Sequence, residues 1–257
     1  MKKIKLLIIG KKSLIANKYY KLSKIKNIDI ISRASINNIN LKKYSHILNF
    51  SFDPKNFKKN YNLTNKLDKK ICKLIKNQNV IYILPSSRFV YSSSKNKSLY
   101  GINKRKIEKD IIKIKKKNYL ILRIGNILTF DISNRSLFIS KVLRNLKKFK
   151  FIKLDLDKNT YKDFITLDVL SSILDKLINK KVTGIFNLSS NIPIKVYDVV
   201  KSIIKGYGKG TIIYQENLKK NDSFLLNNKK LKKVIKFKIS KEQILNYCRF
   251  LGRRLNA

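Results

Sequence analysis

Apolar residues in the first half of the chain fall in short unbroken runs separated by amphipathic stretches. Ile4–Ile9 is the first run, the pattern of a strand buried on both faces. Ser13–Ser23 follows with helical spacing, and Ile28–Ser32 and His46–Phe50 read as second and third strands. Tyr61–Asn77 places Leu63, Leu67, Ile71, Leu74 and Ile75 on one helical stripe. Val80–Leu84 predicts a fourth strand, Leu99–Lys116 a helix and Tyr119–Ile124 a fifth strand. Such alternation predicts an α/β fold, a doubly wound parallel sheet with helices on both faces.

The second half changes character. Ser136–Leu146, Leu167–Ile178 and Val196–Ile204 read as helices, with short strands at Phe164–Ile165 and Ile185–Leu188. Gly206–Gly210 reads as a turn-rich break before Thr211–Tyr214, and Lys229–Ile235 and Lys241–Leu251 as terminal helices. The expected organisation is a nucleotide-binding domain over residues 1–128. A small C-terminal α/β substrate lobe over 129–257 follows, with segments returning to the main sheet.

Composition narrows the class. The 257 residues are 43% hydrophobic, enough for a packed core. No apolar run approaches the roughly 20 residues of a membrane helix. The apolar stretch after Met1-Lys2-Lys3 is short for a signal peptide and runs into Gly10-Lys11-Lys12 rather than a cleavage site, so a cytoplasmic protein is expected. Cys72 and Cys248 lie far apart and form no metal or redox pattern, and no metal is expected. The formal net charge is +45, from 60 Lys+Arg against 15 Asp+Glu. The cations are mostly Lys and are spread along the chain, which reads as compositional bias rather than a dedicated nucleic-acid surface. The field still attracts anionic ligands.

The first strand runs into Gly10, then Ser13, Leu14, Ile15 and Ala16 and a helix, a turn suited to a pyrophosphate. In this Rossmann-type arrangement the end of the second strand selects the adenosine ribose. Ser32-Arg33 stands there, and a guanidinium suits a 2′-phosphate, which favours NADP(H) over NAD(H). Tyr100 and Lys104 share a helix face at i and i+4. An ammonium near a phenol favours the phenolate, so the pair suits proton transfer at a carbonyl or alcohol oxygen. Ser87 follows the fourth strand, where a hydroxyl at a parallel-strand tip points toward bound ligand.

The order of these parts resembles the extended short-chain dehydrogenase/reductase family, the NAD(P)-dependent epimerase/dehydratase group. That group includes nucleotide-sugar epimerases and dTDP-dehydrorhamnose reductases. Asn49-Phe50-Ser51 resembles its third-strand segment beside the cofactor, usually Asn-x-Ala. Ser86-Ser87-Arg88-Phe89-Val90-Tyr91 resembles the segment with the catalytic Ser/Thr, which falls on Ser87. Tyr100 and Lys104 match the catalytic pair, and Leu122–Asn126 resembles the segment whose asparagine meets substrate, here Asn126. Asp163–Val169 and Gly184–Leu188 resemble two segments of the C-terminal lobe. Only the first glycine of the glycine motif is kept, and the loop between Tyr91 and Tyr100 is short.

The resemblance implies catalytic Ser87, Tyr100 and Lys104. Cofactor contacts are implied at Gly10, Ser13, Leu14, Ile15, Ser32, Arg33, Asn49, Phe50, Ser51, Tyr100 and Lys104, and substrate contacts at Ser87, Arg88 and Asn126. It also implies a nucleotide-sugar-like substrate, a role such as polysaccharide biosynthesis, and it allows a homodimer. Sugar 4,6-dehydratases of the group carry Asp-Glu after the active-site hydroxyl, whereas Arg88-Phe89 follows Ser87 here, so a reductase or epimerase is expected. The competing readings are a nucleic-acid-binding protein and a non-catalytic NADP-sensing protein on the same fold. His46 is expected to be structural, Asp163 and Asp168 to anchor the lobe, and Arg253-Arg254 to be a solvated tail.

Overall fold

The computed structural model describes residues 3–52, 66–91, 98–133, 137–219 and 222–256. In chain order the first elements are β1 (Leu6–Ile9), α1 (Leu14–Leu22), β2 (Ile28–Ile31), β3 (His46–Asn49), α2 (Lys66–Leu74), β4 (Ile81–Ser87), α3 (Leu99–Lys115) and β5 (Tyr119–Ile124). There follow β6 (Asn126–Leu128), α4 (Phe138–Phe149), β7 (Phe151–Leu156), β8 (Tyr161–Lys162), β9 (Phe164–Thr166), α5 (Leu167–Asn179) and β10 (Gly184–Leu188). The last are β11 (Ile194–Lys195), α6 (Val196–Tyr207), β12 (Thr211–Lys219), α7 (Lys229–Val234) and α8 (Lys241–Arg253). Among the described residues no helix is long and apolar enough to cross a membrane.

The chain divides into two compact units. The first comprises Met1–Ile124, Leu170–Leu188 and Lys229–Ile235; the second comprises Gly125–Val169, Ser189–Asn228 and Lys236–Ala257. The first unit holds a six-stranded sheet in the order β10-β5-β4-β3-β1-β2, every neighbouring pair parallel. It is an α/β sheet of the expected doubly wound kind. Leu7 and Ile9 pack in one cluster with Leu67 and Ile71 of α2 and Ile107 and Ile111 of α3. Leu6 and Ile8 point the other way and are equally fully buried, so β1 is covered on both faces. The strand order reverses beside β1, whose neighbours are β2 and β3. The strand tips at such a reversal open a ligand crevice. Three further side-chain bonds converge on Asp175 of α5, which accepts from the Tyr19 hydroxyl (2.8 Å), the Ser23 hydroxyl (2.7 Å) and the Lys24 amide (2.7 Å). They fasten the C-terminal end of α1.

His46 opens β3, is 1% exposed, and shares a 2.9 Å hydrogen bond with the Ser45 hydroxyl through Nδ1. Burial, with a smaller contribution from the Lys181 charge, lowers its pKa from 6.5 to about 4. Between these values the unfolded chain binds the extra proton, so stability rises with pH across this window. Acidification from neutral to pH 4 should therefore remove about 3 kcal/mol through this residue. Urea midpoints measured against pH will fall less steeply for His46→Leu than for the wild type; identical curves would contradict the assignment.

The second unit contains the parallel pairs β6–β9 and β7–β12 and the antiparallel pair β8–β11. Its core gathers Leu143 and Leu146 of α4, Ile152 and Leu154 of β7, Val199, Val200 and Ile203 of α6, and Ile244, Cys248 and Leu251 of α8. Several readings change here. The helix expected to stop at Ile204 continues through Gly206 to Tyr207, because Tyr207 is buried in that core; it ends on Gly208, at φ +85°. β6, β7, β8 and β11 are additional strands. Arg253 and Arg254 are exposed as expected, and the Arg254 guanidinium also lies 4.6 Å from the Phe130 ring centroid, a cation–π contact. Residues 61–65, including Leu63, and Ser136 lie outside the described residues.

Candidate active site

The parallel register aligns Ile9 with Ile31 and Asn49, and Ser87 with Ile124, so the residues after these strands lie along one edge of the sheet. Gly10 follows β1 at φ +126°, a backbone region that L side chains rarely adopt. A Cβ there would stand 3.0 Å from the Phe50 carbonyl carbon and 3.2 Å from the Ser51 nitrogen. The Gly10 and Lys11 amides both donate to the Ile31 carbonyl at 2.9 Å, and the Ser13 amide donates to Gly10 at 2.7 Å. The Ser13 hydroxyl caps α1 by accepting from the Ala16 amide at 3.4 Å. The Leu14 and Ile15 amides, in the first helical turn, have no intrahelical acceptor. A tight glycine turn feeding these donors and the positive end of the helix dipole fits a pyrophosphate.

At the tip of β2, the Ser32 hydroxyl lies 2.8 Å from that of Ser35 and accepts the Ser35 amide at 3.3 Å, opening a 3₁₀ turn at Ala34–Asn38. Exposed Arg33 lines an open groove of about 520 Å³ with Ala34, Ile36, Asn37, Leu67 and Lys70. Lys70 donates to Asn37 Oδ1 at 2.7 Å. Among the described residues, the groove lining thus carries two cations and no carboxylate. Lys70 was not among the expected site residues; only the packing of α2 brings it near Arg33.

At the tip of β3, Asn49 is a buried brace. Its Nδ2 donates to Asp68 Oδ1 and to the Tyr82 hydroxyl, each at 3.0 Å. Its Oδ1 accepts the Ser51 amide at 3.0 Å and the Ser51 hydroxyl at 2.5 Å. The side chain thus fixes the course of Phe50–Ser51, the backbone against which Gly10 packs.

Ser87 ends β4, half-buried, and its hydroxyl accepts the Phe89 amide at 3.4 Å. α3 begins beside it, capped by the Ser98 hydroxyl accepting from the Gly101 amide at 3.2 Å. Tyr100 and Lys104 lie one turn apart on this helix. Lys104 is 5% exposed and donates to the Pro85 carbonyl at 3.0 Å. Its Nζ lies 5.0 Å from the Phe52 ring centroid and 5.9 Å from that of Tyr100. The Tyr100 ring meets Phe52 at 5.4 Å and Phe89 at 6.1 Å, edge to face. Helix and strand tip touch closely because residue 101 is glycine: a Cβ there would overlap the Phe89 carbonyl oxygen and stand 3.0 Å from its carbonyl carbon. The structure therefore brings the lysine against Pro85 and the tyrosine against Phe89, two residues either side of Ser87.

No family model and no curated protein matches the chain. Solved structures do. A UDP-N-acetylglucosamine 4-epimerase from Methanobrevibacter ruminantium, in complex with UDP-N-acetylmuramic acid, superposes with a TM-score of 0.77 at 16% identity, covering 98% of both chains. A dTDP-4-dehydrorhamnose reductase from Bacillus anthracis, in complex with NADP, gives 0.77 at 12% identity over 96% of this chain and 99% of that one. A dTDP-glucose 4,6-dehydratase from the same organism, in complex with NAD, gives 0.76 at 18% over 98% and 97%. The fold is that of the extended short-chain dehydrogenases/reductases.

Within the extended short-chain dehydrogenase/reductase fold, the first unit carries the Gly10 turn, the Arg33 groove and Ser87, Tyr100 and Lys104. Arg88 is also there, 9% exposed, its guanidinium 4.5 Å from the Phe89 ring centroid. Asn126 belongs to the second unit, where its Nδ2 donates to the Asp163 carbonyl at 2.8 Å beside the β6–β9 pairing. Asp163 is fully buried, its Oδ2 accepting the Leu226 amide at 2.9 Å, whereas Asp168 is exposed in the first turn of α5. Gly101 and Glu108 are not among the site residues expected from the sequence. Glu108 had a readable signal, one further turn along the face of Tyr100 and Lys104; the Gly101 contact depends on where Phe89 folds.

Proposed function

We propose that the protein is an NADP(H)-dependent reductase or epimerase acting on a carbonyl or alcohol carbon of a nucleotide-linked sugar. The observation that carries this reading is the convergence of Tyr100 and Lys104 on the strand tip that ends in Ser87. The dinucleotide pyrophosphate is assigned to the Gly10 turn and the first-turn amides of α1, and the backbone of Phe50–Ser51 to the wall beside it. When bound, the nicotinamide supplies or accepts the hydride. Ser87 donates a hydrogen bond to the reacting sugar oxygen and orients it. Tyr100 delivers a proton to that oxygen in the reducing direction and removes it in the other. Lys104, held at the Pro85 carbonyl, keeps a positive charge beside the phenol and is placed to bond a ribose hydroxyl. Alignment is the protein's contribution.

The preference for NADP(H) rests on Arg33, with Lys70 across the groove as a second cation for a 2′-phosphate. A 4,6-dehydratase is not proposed, since Arg88 and Phe89 replace the carboxylates that remove a proton and expel water. Bound nucleotide sugars in the related folds support the substrate class.

Fluorescence titration with NADPH and NADH tests the cofactor. NADPH should bind at least about tenfold tighter, and Arg33→Ala should erase most of that difference, in line with the worth of a charge-assisted contact. Equal affinities, or tighter NADH, would overturn the assignment of Arg33. Following absorbance at 340 nm with UDP- and dTDP-linked hexoses and their 4-keto forms then tests the reaction. No change in cofactor or sugar across that panel would remove the enzymatic reading.

A further inference from the structure

Glu108 lies on α3 one turn beyond Lys104 and is 2% exposed. A carboxylate so deeply buried needs partners, and this one has them on two adjacent strand tips. Its Oε1 accepts the Ser86 hydroxyl at 2.6 Å. Arg123 Nε donates to both carboxylate oxygens at 3.2 Å, and Nη2 donates to Oε2 at 2.7 Å. Ser86 and Arg123 are register partners in β4 and β5. Arg123 Nη1 donates in turn to the Tyr91 hydroxyl at 2.6 Å, which donates to Asn187 Oδ1 on β10 at 2.8 Å. One carboxylate is thus the hub of a chain of bonds across the tips of three strands.

We infer that Glu108 is a positioning residue, which through the Ser86 hydroxyl sets the tip of β4, and with it Ser87, against the helix that carries Tyr100 and Lys104. This rests on the function proposed above. Successive side chains on a strand face opposite ways. Ser86 therefore turns toward Glu108 while Ser87 is left to the other side, and anchoring the first fixes the second. Lys104 grips the preceding carbonyl, of Pro85, but in the proposed reaction it also serves the phenol and the cofactor. Glu108 serves the alignment alone. Arg123 completes the device: its two-pronged grip fixes the carboxylate rotamer and balances its charge.

Ser86→Ala removes the hub's hold on β4 and leaves the Glu108–Arg123 pair intact; Ser86→Thr restores the hydroxyl. Two measurements decide the matter. Amide exchange over residues 84–91 of the NADPH-bound protein should be at least about tenfold faster in Ser86→Ala and Glu108→Ala than in wild type, and near wild type in Ser86→Thr, with residues 6–31 unchanged. With the nucleotide sugar that the wild type turns over, kcat should fall at least about tenfold in both alanine variants, with the NADPH Kd within about twofold. Ser86→Thr should recover most of it. Unchanged exchange over 84–91 in Ser86→Ala, or kcat lost only together with NADPH binding, would overturn the inference. If the wild type turns over no nucleotide sugar, the proposed function fails, and the exchange measurement alone still decides whether Glu108 sets the strand tip.

Discussion

Tyr100→Phe is expected to lower turnover by about 10²–10⁴-fold while leaving NADPH affinity within about twofold. The substitution removes one oxygen and no packing. The ring keeps its edge-to-face contacts with Phe52 and Phe89, and Lys104 keeps its bond to the Pro85 carbonyl. In the proposed reaction, the proton at the reacting oxygen loses its carrier. The check is kcat at saturating substrate beside an NADPH titration and a melting curve. Turnover equal to wild type would strip the phenol of its role. A collapse of binding and stability together would mean that the hydroxyl serves the fold.

Gly101→Ala sets two effects of opposite sign against each other. In an uncrowded helix the change would stabilise by about 1 kcal/mol, because glycine is the poorer helix former. Here the new methyl would overlap the Phe89 carbonyl oxygen, and that oxygen belongs to the backbone beside Ser87 rather than to a flexible side chain that could swing aside. Overpacking of this kind costs about 1–3 kcal/mol. The collision should therefore win: a net loss of stability, and a larger loss of turnover, since α3 must retreat from the strand tip that Tyr100 serves. Urea denaturation and 340 nm assays measure the two. A more stable, fully active Gly101→Ala protein would show that helix and strand tip have slack between them.

Much of this architecture is legible in the amino-acid sequence. The parallel strands are continuous apolar runs because both faces are covered, so Leu6–Ile9 and Tyr119–Ile124 announce themselves without ambiguity. β4 runs farther than expected, through Pro85 to Ser87, because its pairing with β5 continues to the Ser87–Ile124 register beyond the apolar stretch. β7 is different in kind. Ile152 and Leu154 are buried while Lys153 is exposed, the alternation of a strand covered on one side, and in so lysine-rich a chain that pattern is easily taken for a polar loop. In the site, Tyr100, Lys104 and Ser87 are visible as a local pattern. Asn49 is visible too, but its engagement with Asp68, Tyr82 and Ser51 depends on side chains distant along the chain. The same holds for Lys70 and Arg123, which become neighbours of Arg33 and Glu108 only after folding.

The few acidic side chains are used with economy. Asp68, Glu108, Asp163 and Asp175 are all buried, and each accepts bonds from several places or from far along the chain. The internal fastenings therefore draw on a handful of anions, while lysines crowd the outside. Exchange of one exterior polar residue for another leaves those fastenings untouched. A surface this rich in lysine is therefore compatible with the same architecture, in a chain that shares fewer than one residue in five with other proteins of this fold.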